Sequence, residues 1–336
     1  MMNLARVHLR ASAPSTRQHL RQTGRTIIEI MIALSLGLII VAAVMGAFVS
    51  NQQSSTQLNA SAKLAQELAG VMNLIGQAIR SAGTSDLESS TAVGDRARRL
   101  RMPVVSGCDG GYAMAGTDIP DVATNSACNS SAAGNDAITL GSQVEAARCP
   151  TTSSGSITSY YNNADSFVNT SWGKDLLGQC VNAVLNPQGI PVSEVMHRFF
   201  IHKKVPTNAN PDPSNNLYIG STTTDSNGAQ NAAQPVFPDV EQMKLRYLVS
   251  TLENGEGDVY MTAAQVNSSV FWGRVVGVRV CIVMSTKEKG VAQTAANNYV
   301  DCNGASVAGA NNRIYRSSSA LFLLRSRATP ISHVSA

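Results

Sequence analysis

The strongest hydrophobic pattern of the chain is an apolar run near its amino terminus. Residues 26–49 read TIIEIMIALSLGLIIVAAVMGAFV. As an α-helix, a run of about 24 residues extends roughly 36 Å, which is enough to cross a bilayer. The run is also longer than the apolar core of an ordinary secretory signal. It therefore predicts a membrane-spanning helix that stays in the mature protein.

A second helical pattern follows directly after this run. Residues 52–80 contain no proline, and apolar residues recur there at spacings of three and four. This periodicity predicts one apolar helical face, formed by Leu58, Ala62, Ala65, Leu68, Met72, Ile75 and Ile79. We expect one helix over residues 26–80, with Gly83 as its left-handed terminating residue. The second half of this helix should pack on a globular domain, because a stripe of about three heptads is short for an independent coiled coil.

Period-two alternation dominates the carboxy-terminal half and predicts strands. The candidate strands are residues 195–205, 217–219, 240–251, 274–285 and 320–324, with weaker candidates at 135–140 and 157–161. The expected inward faces are Met243, Leu245, Tyr247 and Val249 in one strand, and Val276, Val278, Val280, Ile282 and Met284 in the next. Such alternation indicates an antiparallel meander with one covered face. Because the long helix can cover it, the fold class is α+β.

The charge of +4 is not a property of the predicted globular domain. Residues 1–24 hold Arg6, Arg10, Arg17 and Arg21 and no acid, and the rest of the chain holds 22 basic and 22 acidic residues. An electrostatic nucleic-acid footprint needs clustered, uncompensated cations, so we expect no nucleic-acid partner. The cluster Arg96, Arg98, Arg99 and Arg101 is expected to pair with acids of a neighbouring subunit. By the positive-inside rule, the arginines before the apolar run place the start in the cytoplasm and the bulk in the periplasm.

A single carboxylate, Glu29, interrupts the apolar run in its first turn. Carboxylates inside a membrane are costly and usually functional, although the helix dipole near the interface also favours one there. The surrounding stretch from Gly24 to Leu34, GRTIIEIMIAL, resembles the class III signal of type IV pilins and pseudopilins. The resemblance implies cleavage by a prepilin peptidase between Gly24 and Arg25, and methylation of the new amino terminus at Arg25. The family usually has Phe where this chain has Arg25.

The same resemblance implies a role for Glu29, which becomes the fifth residue of the mature chain. In filaments of this family, that carboxylate compensates the positive amino terminus of a neighbouring subunit. This pairing offsets an otherwise costly buried charge.

Four further phrases resemble the PilW type of minor pilin. They are RSAG (80–83), GNDAITL (134–140), VEQMKLRY (240–247) and VVGVRV (275–280). The resemblance implies a type IV pilin-like fold with a cleaved leader (1–24), a long helix (25–82, transmembrane over 26–49) and a β-rich head (83–336). It implies an inner-membrane protein with a periplasmic head that later enters the extracellular filament.

The implied function is structural: a subunit of the complex that primes or caps a type IV pilus, the fimbrium of twitching motility. The implied partners are the prepilin peptidase, other minor pilins, the major pilin, the inner-membrane assembly platform and, less directly, a tip adhesin. Two alternatives stay open. The first alternative is a type II secretion pseudopilin. The second is a membrane-anchored periplasmic adhesive or binding module.

The six cysteines, Cys108, Cys128, Cys149, Cys180, Cys281 and Cys302, all follow the apolar run. An even count in an oxidising compartment implies disulfides, and six cysteines allow 15 pairings. Loop-closure entropy favours sequence neighbours, so we expect Cys281 to pair with Cys302, Cys108 with Cys128, and Cys149 with Cys180.

No enzyme, metal or cofactor site is expected. The chain has no GxSxG, P-loop or HExxH motif, and no CxxC spacing suggests zinc. His197 and His202 are five residues apart, which on a strand places them on opposite faces. The turn with Glu253, Glu256 and Asp258 does not match an EF-hand loop, so we read it as a turn and not as a calcium site.

Overall fold

The computed structural model describes residues 26–83, 104–113, 127–129, 134–143, 194–203, 214–221, 233–250, 258–288 and 298–325, together with the backbone of short strands between residues 146 and 192. The chain divides into two compact units, Met1–Ser54 and Ser55–Ala336. The helix α1 (Ile27–Ser81) begins in the first unit and ends in the second. Its bounds differ by one residue from the expected 26–80.

In the described part of the amino-terminal unit, every residue is exposed. The large apolar side chains include Ile28 at 69%, Leu38 at 73% and Phe48 at 60% exposure. Among the described residues, α1 is the single helix long and apolar enough to cross a membrane, and none of its most apolar window is buried within the chain. These features suggest a membrane anchor.

In the carboxy-terminal unit, α1 buries a stripe centred on Leu64, Leu68, Ile75 and Ile79. The residues predicted for the face from Leu68 onward are all buried. The prediction was wrong before Leu68, since Leu58 is 70% exposed. At about 100° per residue, Leu58 lies about 100° around the helix from Ile75. The spacing of apolar residues alone therefore placed the predicted apolar face on the wrong side of the helix in the turns around Leu58. Ala62 was also predicted to face inward but is exposed, and the prediction left out three buried hydrophobic residues: Leu64, Val71 and Ala78.

The helix ends at Ser81, and Gly83 follows it in the expected left-handed conformation, with a φ of 76°. Its backbone N–H donates to the carbonyl oxygen of Gly141 at 2.8 Å. The left-handed conformation, which costs glycine little, thus turns the chain toward the sheet that contains Gly141.

Sixteen strands follow in the part of the chain that the structure describes. They are β1 (Val105–Cys108), β2 (Ala137–Gln143), β3 (Ala146–Ala147), β4 (Trp172–Lys174), β5 (Cys180–Val181), β6 (Val184–Leu185), β7 (Pro191–Val192), β8 (Glu194–Lys203), β9 (Asn215–Ser221), β10 (Gln234–Phe237), β11 (Val240–Ser250), β12 (Asp258–Met261), β13 (Val275–Ser285), β14 (Asn298–Val300), β15 (Ser306–Ala308) and β16 (Tyr315–Leu323). A short helix α2 (Ala263–Ser268) and a 3-10 turn (Trp272–Arg274) lie between β12 and β13.

Two larger antiparallel sheets replace the single meander that the sequence predicted. One has the order β1-β2-β8-β9-β10 and the other β12-β11-β13-β16. The first sheet is covered on both faces: Phe199 of β8 joins the main core, whereas the adjacent Phe200 joins a second cluster with Tyr112 and Tyr218. A strand with apolar residues on both faces shows no clean alternation, so the second covered face was missed.

The main core draws on α1, α2 and both larger sheets. The inward residues predicted for β11 are confirmed, since Met243, Leu245, Tyr247 and Val249 are fully buried. In β13, one inward residue was wrong. A register shift opposite residues 248 and 249 pairs Val249 with Val275, so Val275 is buried while Val276 is only half-buried.

The last strand, β16, starts at Tyr315 and not at residue 320, because its first half is polar yet pairs with β13 throughout. The strand candidate 157–161, the arginines 96, 98, 99 and 101, and Glu253 and Glu256 lie outside the described residues.

Candidate functional site

Glu29 lies in the first turn of α1, and its side chain is exposed within the amino-terminal unit. The helix starts locally: the backbone N–H groups of Glu29 and Ile30 both donate to the carbonyl oxygen of Thr26. A carboxylate in the first turn is favoured by the positive end of the helix dipole. The surrounding side chains, Ile27, Ile28 and Met31, are exposed and apolar, so Glu29 is the one acid of an otherwise lipid-compatible surface.

The expected processing residues Gly24 and Arg25 lie outside the described residues. Cleavage after Gly24 and methylation of Arg25 therefore remain predictions. The described chain begins one residue later, at Thr26.

Two disulfides tie loops to the larger sheets of the head. Cys281 of β13 is bonded to Cys302, and Cys108 of β1 is bonded to Cys128. The first bond anchors the β14–β15 hairpin, which is also held by a hydrogen bond from the Cys302 N–H to Gln242 Oε1 at 2.8 Å. Each bond joins sequence neighbours. The expected partner pair Cys149 and Cys180 lies outside the side chains that the structure describes.

Within the β14–β15 hairpin, Asp301 organises the turn. Its carboxylate accepts hydrogen bonds from the N–H groups of Asn303 and Ala305. These backbone hydrogen bonds, that from Ala305 first, lower the pKa of Asp301. The carboxylate thus has a structural use in closing the turn.

A buried carboxylate, Asp136, joins the two larger sheets. It accepts hydrogen bonds from the N–H of Leu245 at 2.8 Å and of Gly110 at 3.2 Å, and pairs with Lys244 Nζ at 3.0 Å. Next to it, the Asn135 side chain contacts the backbone of β11 at Glu241 and Met243. Two polar residues of the phrase GNDAITL therefore link the start of β2 to β11 by hydrogen bonds. In the sequence, these contacts are indicated only by an Asn-Asp pair just before a buried strand.

The Tyr247 side chain is packed against the backbone of β1. Its hydroxyl is buried and has no hydrogen-bond partner among the described residues, and burial raises its pKa well above the usual value. A side chain at Gly107 would collide with this hydroxyl. Nearby, burial raises the pKa of Tyr112 to about 12, although its hydroxyl shares a 2.5 Å hydrogen bond with Thr139. Both side chains are buried within the head.

A second polar cluster closes the start of β11. Arg313 Nη1 lies 3.6 Å from Asp239 Oδ1 and 3.7 Å from Glu241 Oε1. Glu241 also accepts hydrogen bonds from Ser285 and Asn215 at 2.8 Å each. Burial raises the pKa of Asp239 against the opposing effect of Arg313. Every group is engaged with another part of the head, so the cluster fits a structural role.

The histidines do not form a pair. His197 is buried on one face of β8, and His202 lies on the other, edge-on to Tyr218 with ring centroids 5.7 Å apart. Burial lowers the pKa of His202. Over the described ranges, no group of three or more His, Cys, Asp or Glu side chains is placed to hold a metal ion.

An open groove of about 600 Å³ runs between α1 and β16 in the carboxy-terminal unit. Its walls carry no acid and a single cation, Arg316, which donates to the Ser61 hydroxyl at 2.7 Å. Most of its lining residues are small or apolar. Its lining residues are Ala65, Leu68, Ala69, Met72, Asn73, Arg316, Ser317, Ser318, Ala320 and Phe322.

Comparison with known proteins gives a family match in the carboxy-terminal part of the chain. Residues 198–326 match the family model described as type IV Pilus-assembly protein W. This region contains β11, β13 and β16, the Asp239 cluster and the Cys281–Cys302 disulfide. No curated protein matches the chain.

Among solved structures, a type IV-like pilin from Thermus thermophilus is similar over 79% of this chain and 98% of its own length. The identity is 10% and the TM-score is 0.35. The described residues themselves show an exposed apolar helical segment in one unit, and a helix packed on antiparallel sheets with two disulfides in the other.

Proposed function

We propose that this chain, which matches the pilus-assembly family model over residues 198–326, is a PilW-type minor pilin of the type IV pilin superfamily. As such it is a structural subunit of the complex that primes or caps a type IV pilus. The observation that carries this proposal is the pilus-assembly family match over residues 198–326. The apolar, exposed start of α1 agrees with it, because a pilus subunit needs a membrane anchor before assembly. Both the family and the fold are of a structural, non-enzymatic kind.

The proposed path begins with a prepilin in the inner membrane. The four arginines of the leader hold the start in the cytoplasm, so the head enters the periplasm. The prepilin peptidase then cuts between Gly24 and Arg25, and the new amino group of Arg25 is methylated. The expected domains are accordingly the leader 1–24, the helix 25–82 and the head 83–336.

In the assembled complex, Glu29 pairs with the positive amino terminus of a neighbouring subunit. Its exposed position in the first turn of α1 supports this role, because no residue of the described chain covers the carboxylate. An ionised carboxylate in an apolar environment is stable only when it is paired. Loss of the pair therefore penalises assembly more than insertion.

The matched test compares Glu29→Ala with Glu67→Ala in the full-length protein. Glu29→Ala should insert and be processed normally but be strongly depleted from sheared pili. Glu67 forms a partly exposed pair with Lys63 at 3.9 Å, and such i,i+4 pairs contribute about 0.3–0.5 kcal/mol. Glu67→Ala should therefore reach wild-type levels. Wild-type recovery of Glu29→Ala in pili would refute the role of Glu29.

Processing is tested by the mass of the mature amino-terminal peptide with and without the prepilin peptidase. We expect a methylated peptide that begins at Arg25 only when the peptidase is present. An intact Gly24–Arg25 bond in wild-type cells would contradict the proposed path.

The proposed partners are other minor pilins, the major pilin, the inner-membrane assembly platform and a tip adhesin. A gene deletion separates this function from the two alternatives. Loss of pili and twitching supports it, whereas loss of exoprotein export with intact pili would indicate a type II secretion pseudopilin. Surface binding by the full chain without other pilins would indicate an adhesive module. No comparison favours either alternative.

A further inference from the structure

The outer face of the sheet β12-β11-β13-β16 carries two arginines directly opposite each other. Arg246 of β11 is the register partner of Arg279 of β13, and both residues are exposed. Directly opposed residues have Cβ atoms about 4.5–5.5 Å apart, and like charges in such a pair destabilise a sheet. Folding thus brings two cations together at a cost.

Neither guanidinium has an acidic partner in the part of the chain that the structure describes. Arg246 Nη1 donates to the carbonyl oxygen of Leu245 at 3.0 Å, and Arg279 Nε donates to the Ser319 hydroxyl at 3.2 Å. These neutral acceptors hold the guanidinium groups in place without cancelling their charge. Several donors of each group therefore remain available to an external acceptor.

Apolar side chains border the arginine pair on the same face. Arg279 is the register partner of Leu321, and Gly277 is the partner of Leu323. These leucines are 42% and 48% exposed. A Cβ atom added at Gly277 would meet Leu323 Cδ2 at 3.0 Å and Leu321 Cδ1 at 3.3 Å, so both leucines lean over the glycine. The cations and the leucines form one surface.

We call this surface the outer patch, and it ends at β12. Leu248 is the register partner of both Gly277 and Tyr260, and Tyr260 is 44% exposed. The inward residues of the same strands, such as Tyr247 and Val278, belong to the main core. The patch consists of Arg246, Arg279, Leu248, Leu321, Leu323 and Tyr260.

The arginines and the tyrosine of the outer patch are residue types found at the centre of protein interfaces. Arginine and tyrosine are enriched in such centres, and buried arginine and aromatic anchors supply much of the binding energy. Two adjacent guanidinium groups offer paired N–H donors to one carboxylate. A carboxylate placed between them would also relieve their mutual repulsion.

We propose that the outer patch docks an acidic, apolar segment of another pilus subunit. A carboxylate of that segment lies between Arg246 and Arg279, and its apolar neighbours pack on Leu321 and Leu323. The proposal rests on the proposed function, because the partner is a pilus subunit. A lipid surface is the less suitable partner, since recognition of anionic membranes typically uses clusters of about four to eight cations.

The test places a photo-crosslinking amino acid at Leu321 of the full-length protein in cells that assemble their own pili. We expect a crosslink to another pilus subunit at a segment that contains Asp or Glu. Arg279→Glu should lower the crosslink yield about tenfold or more, because like charges at an interface oppose binding. The matched control is Lys203→Glu, an exposed site on β8 with the same change of charge, which should leave the yield unchanged.

A second variant separates docking from folding. Arg279→Gln removes the cation without adding an acid, so it should lower the yield less than Arg279→Glu. Its melting temperature should be no lower than that of the wild type, because the repulsion between the two cations is removed. Replacing the crosslinked acid of the partner with Arg should restore the yield with Arg279→Glu. The pair of exchanges tests charge complementarity directly.

Three crosslinking results would overturn the proposal: no crosslink from Leu321, equal yields for Arg279→Glu and Lys203→Glu, or a crosslinked segment without an acid. A fourth comes from a binding assay with the full-length protein in nanodiscs. It would overturn the proposal if the protein bound phosphatidylglycerol vesicles and Arg279→Glu abolished that binding. The last result would assign the patch to a membrane. Failure of the proposed function looks different, because gene deletion would then leave pili intact.

Discussion

Two isoleucines of the same helix show how differently the two units use apolar residues. Ile32 belongs to the amino-terminal unit and is 54% exposed, whereas Ile75 belongs to the carboxy-terminal unit and is fully buried. Burial of such a side chain contributes about 1.5–3 kcal/mol. The carboxy-terminal unit gains this energy on folding, while the amino-terminal unit can gain it only from lipid or from other subunits. An apolar run and an apolar stripe therefore predict burial in different partners.

The largest expected effect comes from truncating the two isoleucines. Ile75→Ala should lower the free energy of unfolding of the head by about 2–5 kcal/mol, because it leaves a cavity in the core. Ile32→Ala should leave the unfolding of the head unchanged. Denaturant unfolding of the purified full-length protein in detergent, followed by near-ultraviolet circular dichroism, measures the free energy of unfolding of both variants. Equal shifts for the two variants would contradict the division into a self-packed and an externally packed unit.

The disulfides give the next largest effect, and they too belong to one unit, since residues 1–54 contain no cysteine. Replacing both Cys281 and Cys302 with Ser opens a link that spans 21 residues and should cost the head about 3 kcal/mol. Denaturant unfolding measures the loss, and membrane insertion should not change. If reductant destabilises the wild type and the double variant equally, the Cys281–Cys302 bond does not stabilise the head.

Replacing two glycines of α1 with alanine should give the smallest effect on stability. Both glycines lie in the same helix, so the two variants differ mainly in what surrounds the added side chain. A side chain at Gly76 would collide with the Phe322 ring, whereas nothing lies within 4 Å of the Cβ position at Gly46. Gly76→Ala gains about 1 kcal/mol of helix propensity but overpacks at a cost of about 1–3 kcal/mol. We expect a net loss of about 1 kcal/mol in head stability.

Gly46→Ala is the control for this comparison. It should leave head stability unchanged and strengthen the helix by about 1 kcal/mol. Thermal unfolding of both variants in the same detergent supplies the measurement. A Gly76→Ala head that is more stable than the wild type would show that Phe322 moves aside freely.

Sequence periodicity predicted where helices and strands lie better than which of their side chains are buried. It located α1 within one residue at each end and the inward face of β11 without error. It misplaced the first turns of the helix stripe, because alanines such as Ala62 and Ala65 have no preference strong enough to decide between a core and a surface. A weakly apolar stretch needs the opposing sheet to show which side is buried.

The polar groups show a similar limit for the candidate sites. Glu29 stands out locally, as a single acid in an apolar run. Asp136 lies in the phrase GNDAITL, yet its hydrogen bonds to Leu245 and Lys244 join residues more than a hundred positions apart. The Arg246–Arg279 pair could not be predicted from the sequence either, since each arginine alone has the pattern of an ordinary outward-facing strand residue.

The sequence by itself determined the features that depend on neighbours along the chain. These are the apolar run, the position of Glu29 in its first turn, the alternation in β11 and β13, and the supply of cysteines at short separations. The tertiary structure decided which strands meet, and therefore that there are two larger sheets, that Val275 replaces Val276 in the core, and that Arg246 faces Arg279. Local periodicity sets which way a side chain points from its own element, but the partner across the sheet is set by long-range pairing, where a shift of one residue exchanges the faces.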